Sequence, residues 1–176
     1  MTRLPTVFVS HGAPTFALEP GLAGPQLAAL GRALRRPKAV LVVSPHWMTR
    51  GARVGLSPQP ATIHDFGGFP QPLYEIGYPA HGHPELAQRT LALLQQAGWD
   101  AQGDERRGLD HGAWVPLLYL YPDADVPVFQ VSLPATLDSA GAWAFGRALA
   151  PLADEGVLIV GAGRLTHNRY EFRAGQ

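Results

Sequence analysis

The sequence predicts an α/β protein, a central and mostly parallel β-sheet flanked by helices. Three observations predict it. Four short runs, TVFVS, AVLVVS, PVFQVSL and VLIVG, are rich in β-branched and apolar residues and free of charge, as expected of strands covered on both faces. Stretches with apolar residues at helical spacing lie between them. Finally, several of the runs end in Gly, Ser, Pro or His, the residue types of strand-end loops in such sheets.

The elements follow in order. Residues 5–10 read as the first strand. Residues 23–35 carry Leu27, Leu30 and Leu34 at helical spacing, and Pro37 stops that helix by disfavouring helical geometry at Arg36. Residues 39–44 make the next strand, completing a βαβ unit with an expected right-handed crossover. Residues 53–57 form a short strand. The segment SPQPATIHDFGGFPQPLYEIGYPAHGHP that follows is far longer than an ordinary connection, and long irregular segments inside compact domains are often functional. Residues 84–97 form a helix with Pro84 in its first turn and Gly98 as its stop. DHGAWVPLLYLY holds a short apolar helix or turn. Residues 127–133 are a strand, 139–153 a helix and 157–161 a further strand.

The 176 residues form one domain, residues 1–176, long enough to bury a substantial core. Lys plus Arg and Asp plus Glu are 14 each, so the formal charge is zero, and without a basic stripe nucleic acid is not an expected partner. No apolar run approaches the ~20 residues of a membrane helix, and the N-terminus lacks the long apolar region of a secretion signal. Cysteine is absent, which removes disulfides and thiolate ligands and fits a cytoplasmic location. The final strand runs into GAGRLTHNRYEFRAGQ, with almost nothing after it to cover the sheet. The domain therefore reads as incomplete, and an unfinished edge invites pairing with a second copy.

Seven histidines supply the chemistry. His11, in SHGAP, and His46, in SPHW, each follow a strand, where ligands bind in open α/β sheets. Two imidazoles at strand ends suggest a metal site, because imidazole is the commonest metal-binding side chain. A strand-end histidine alone is more often a loop residue bonded to a carbonyl. His167, in GAGRLTHN, is a third histidine just past a strand. His111 follows Asp110 and precedes Gly112, so it reads either as a site residue or as the first residue of a helix capped by Asp110. His64 lies among aromatic and glycine residues, fit for a lid over a flat ligand, with an Asx turn at Asp65 as the plainer reading. His81 and His83 form an H-x-H pair that reads better as a polar loop than as a metal site. Phe66, Phe69, Tyr74 and Tyr78 either line a pocket or pack the long loop down. No G-x-S-x-G elbow or complete dinucleotide motif is present.

Taken together, SHGAP, SPHWMTRG, PATIHDFGGFPQPLYEIGYPAHG, LDHGAWVPL, YPDADVPVFQVSL and THN resemble the DOPA 4,5-dioxygenase type of class III extradiol ring-cleavage dioxygenases. The resemblance is collinear over nearly the whole chain. It implies an α/β sandwich and a metal-dependent enzyme that opens catechol rings with O2 to give a semialdehyde product. It also implies one divalent metal, Fe(II) for catalysis or Zn(II) as bound. His11 and His46 match its metal ligands. His167 matches a histidine at the metal, a candidate base sometimes counted as a ligand. His111 matches an active-site histidine near substrate and oxygen. The family continues for several dozen residues and takes a further ligand from a P-E-H-Y-like segment that is absent here, so the resemblance implies a missing C-terminal portion. Two rival readings keep the histidines but change the chemistry: a zinc enzyme of hydrolase type, and a non-catalytic remnant that binds metal or an aromatic ligand. The substrate within the catechol class is not readable from the residues, and a homodimer is compatible with the open sheet edge.

Overall fold

A computed structural model of the chain describes residues 3–10 and 14–163. Its centre is a six-stranded sheet in the order β1-β6-β2-β5-β3-β4. The strands are β1 (Thr6–Ser10), β2 (Ala39–Thr49), β3 (Ala52–Gly55), β4 (Ala101–Asp104), β5 (Val128–Pro134) and β6 (Val157–Gly163). β1, β6, β2 and β5 are parallel neighbours. β3 runs antiparallel to β5, and β4 parallel to β3. The mostly parallel sheet expected from the uncharged runs is therefore present, with a reversed pair at one edge.

The sheet is buried on both faces, and strand alternation divides its side chains between two cores. Val40, Val42, Leu158 and Val160 face α1 (Ala23–Ala33) and α4 (His111–Leu120). Ala39, Leu41, Val157 and Ile159 face the side of α3 (Pro84–Gln96) and α5 (Ser139–Leu149). A period of two places successive residues on opposite faces, which is why unbroken apolar runs are needed here. α4 is buried from His111 through Leu117 and again at Leu120, as a helix apolar all round must be.

Several boundaries differ from the sequence reading. β2 runs five residues beyond Ser44, and its register with β5 shifts between Val43 and Met48. The predicted helix 139–153 is an α-helix to Leu149 followed by a 3-10 turn over Ala150–Glu155. β4 and the single-turn helix α2 (Gln71–Tyr74) carry too few periodic residues to stand out in sequence. β1 and β2, read as consecutive, are not neighbours, because β6 lies between them.

Helix ends follow the local chemistry. Pro84 opens α3, and His83 caps it, its Nδ1 accepting from Leu86 N at 3.1 Å. The H-x-H pair is thus a helix cap at its second member. α3 closes with Gly98 N donating to Gln95 O and Trp99 N to Leu94 O, both 3.0 Å. That is the double bond pattern of a Schellman stop, with Gly98 at φ +91°.

Candidate active site

The described site is built at the end of the sheet where the parallel strands finish. β2 carries His46 within its register shift, between Val43 and Met48. Ser44 Oγ accepts from His46 N at 3.2 Å, a local side-chain bond of the i to i+2 kind that competes with ladder pairing. α4 begins at His111, with Asp110 as its cap accepting from Gly112 N at 2.9 Å. The imidazoles of His46 and His111 lie with centroids 4.0 Å apart and planes tilted by 33°.

The long loop supplies a third group. Ile63 N donates to Leu109 O and Leu109 N to Ala61 O, both 2.7 Å, which fastens the loop alongside the segment entering α4. Trp114 Nε1 donates to Ile63 O at 2.9 Å and adds a second tether. Two residues further along each strand of this bridge, Asp65 meets His111. Asp65 Oδ1 accepts from both His111 N and His111 Nδ1 at 2.9 Å. Burial raises the Asp65 carboxyl, but the bonds and charge of His111 outweigh it and hold the group below its ordinary value. A carboxylate on Nδ1 fixes the neutral ring as the Nδ1–H tautomer, with its lone pair on Nε2.

An aromatic wall stands beside the imidazoles. Phe66 meets the His111 ring edge-on at 5.6 Å and contacts Phe69, Tyr74 and Trp114. His64 is bonded through Nε2 to Ile76 O at 2.8 Å and packs on Trp114. Tyr78 lies in the core, donating to Tyr121 O at 2.7 Å.

Of the four histidines singled out in sequence, the structure brings His46 and His111 together. His11 and His167 lie outside the described residues. Asp65 was read only as a turn residue, and its role as partner of His111 was missed. No spacing rule connects residues 46 positions apart; the loop's length was the one signal that it carried function. One donor atom each from His46, Asp65 and His111 lies within 4.8 Å of the others. Two imidazoles and a carboxylate at this spacing fit a divalent cation such as Fe(II) or Zn(II).

Comparison with known proteins adds four findings. The model of the family described as the catalytic LigB subunit of aromatic ring-opening dioxygenase matches residues 25–176. A 4,5-DOPA dioxygenase extradiol of Escherichia coli K12 is 46% identical over 167 residues, covering 95% of this chain and 61% of the relative. The protein of that same name from Beta vulgaris is also 46% identical, over 92% of this chain and 62% of its own. The crystal structure of uncharacterized protein JW3007 from Escherichia coli K12 superimposes with a TM-score of 0.75 at 37% identity, covering 94% of this chain and 62% of that one. The chain thus spans about three fifths of the length of these relatives.

Proposed function

The chain belongs to the LigB family of aromatic ring-opening dioxygenases, and from that premise we propose that it acts in the metal-dependent extradiol opening of a catechol-type ring by O2. The observation that carries the reading is the stacked pair His46–His111 with Asp65 on Nδ1 of the second ring. The similarity to proteins named 4,5-DOPA dioxygenase extradiol supports a catechol of that kind as substrate. The cysteine-free composition fits a cytoplasmic location.

In this proposal His46 holds the metal together with His11, His167 stands at the metal either as a third ligand or as a base, and Asp65 and His111, within reach of the same cation, stay bonded to each other. Bound Fe(II) would act as a Lewis acid toward the catechol oxygens and supply the redox chemistry that O2 requires, which Zn(II) cannot. The rest is done by the chain's own side chains. Phe66 offers a flat apolar face on which an aromatic ring can lie. Asp65 keeps the His111 proton on Nδ1, so Nε2 accepts a proton from a catechol hydroxyl or, once charged, donates one back to an oxygen atom. His167 is the second candidate for the first of these transfers. Imidazole is the side chain best suited to such exchange at neutral pH.

The test is oxygen uptake with a catechol series after Fe(II) reconstitution, with metal content measured in parallel. H46A is expected to lose metal. H111N is expected to keep metal and lose about 10²- to 10⁴-fold in turnover, the usual worth of one positioned acid–base group. Uptake unaffected by H111N, or turnover with Zn(II) alone, would refute the reading.

A further inference from the structure

We propose that Asp110 is the positioning residue that holds the two histidine-bearing segments in register, a role separate from its capping of α4. Asp110 is the one fully buried carboxylate among the described residues. An ionised group buried so completely persists only where donors surround it, and four do. Ser44 Oγ and Gly112 N donate to Oδ1 at 2.8 and 2.9 Å. Gln130 Nε2 and Arg107 Nη2 donate to Oδ2 at 3.0 and 3.2 Å. The backbone joins in, with Asp110 N donating to Gln130 Oε1 at 3.0 Å.

These contacts reach both segments that carry the two imidazoles. The bond from Ser44 leads to His46, whose amide donates back to the same Ser44 Oγ. The bond from Gly112 fixes the first turn of the helix that His111 opens. Gln130 comes from β5, the strand paired with β2. It is a buried polar residue on a strand otherwise apolar up to Ser132. Arg107 is steadied by the Trp47 ring, 5.1 Å from its guanidinium carbon, and Trp47 adjoins His46. One carboxylate therefore sets how far β2 and α4 stand apart at the point where the two rings lie 4.0 Å from each other. Every bond to the carboxylate is one that it accepts, so the network has a polarity that a neutral amide cannot reproduce. In D110N either orientation of the amide turns its NH2 toward at least one group that can only donate, Arg107 Nη2 or Gly112 N.

That polarity supplies the test. D110N breaks the set, while D110N/Q130E restores the link to β5 with its sense reversed, the amide at position 110 donating to the new carboxylate, and leaves Arg107 Nη2 without its bond to Oδ2. The readout is the histidine ring signals in NMR, including the contact between the His46 and His111 rings. D110N is expected to move both sets of signals and lose the ring–ring contact, with the signals of His83, at the start of α3, unchanged. D110N/Q130E is expected to recover them. Should D110N fail to fold, S44A removes only the link to β2 and is expected to move the His46 signals alone. Unmoved His46 and His111 signals in folded D110N, or equal losses in D110N and the double variant, would overturn the proposal.

As a statement about metal the proposal rests on the function proposed above, so Zn2+ binding is titrated alongside by calorimetry. A loss of about 10- to 100-fold in affinity in D110N, restored in the double variant, is expected for a group that orients a ligand. Absent Zn2+ binding in the unaltered protein would count against the metal reading, while the ring signals still decide the role of Asp110.

Discussion

Replacing Gly112 with alanine tests how tightly the two histidine segments are pressed together. A Cβ at this position would overlap Ser44 Oγ and stand only 3.0 Å from both Asp110 Oδ1 and His46 Cδ2. Ser44 must then rotate away, giving up its bond to Asp110 and the bond it accepts from His46 N. The first is a bond to a charged acceptor, worth about 1.5–3 kcal/mol, and the second about 0.5–1.5 kcal/mol. Alanine returns up to about 1 kcal/mol through its better helix propensity in the first turn of α4. The net expectation is a loss of about 1–4.5 kcal/mol, or a fall of about 2–18 °C in Tm for a chain of this size. Thermal unfolding followed by circular dichroism reads it. S44A removes the atom that collides, so G112A should cost far less in the S44A background, with a coupling of at least about 1 kcal/mol. A neutral G112A, or effects that simply add, would refute the reasoning.

Three further outcomes are expected. Y78F loses the bond to Tyr121 O and is destabilised by about 1 kcal/mol at neutral pH. Burial first, then Asp125, Tyr121 and Asp123, raise the Tyr78 hydroxyl well above its ordinary value of 10. The native stability tied to that neutral hydroxyl is therefore complete below pH ~10 and falls above it as the unfolded chain ionises. The deficit of Y78F should accordingly shrink in alkaline denaturation curves. G98A meets nothing within 4 Å, so its loss of about 1 kcal/mol is purely conformational, and G98N should recover part of it in urea unfolding. H83A removes the cap of α3 and is expected to lower stability by about 1 kcal/mol; an unchanged urea midpoint would show that the Leu86 amide is satisfied without it.

How far the sequence anticipates these features depends on range. Strands covered on both faces are legible because VLIVG or AVLVV can satisfy no other environment. The stop at Gly98 and the start at Asp110 are legible because they are local, with donor and acceptor within a few residues of each other. His46 and His111 could be singled out by type and by their place after a strand or before a helix. Asp65 could not, since its meeting with His111 depends on the bridge of Ala61 and Ile63 with Leu109. Gln130 inside VFQVSL carries no local sign of its use, which depends on Asp110 lying opposite it. The insertion of β6 between β1 and β2 is likewise a fact of topology, which periodicity does not encode.

That insertion bears on how the molecule is made. Among the described strands β1 pairs only with β6, so β1 has no partner among these strands until β6 has been synthesised. β2 and β5 can join earlier, which leaves a slot for β6 beside β2 and strands β1 beyond it. Closing so long a loop is slow, and an uncovered apolar strand is a hazard for aggregation meanwhile. Nascent chains arrested before residue 157 should therefore depend on chaperones in a way that the finished sheet does not.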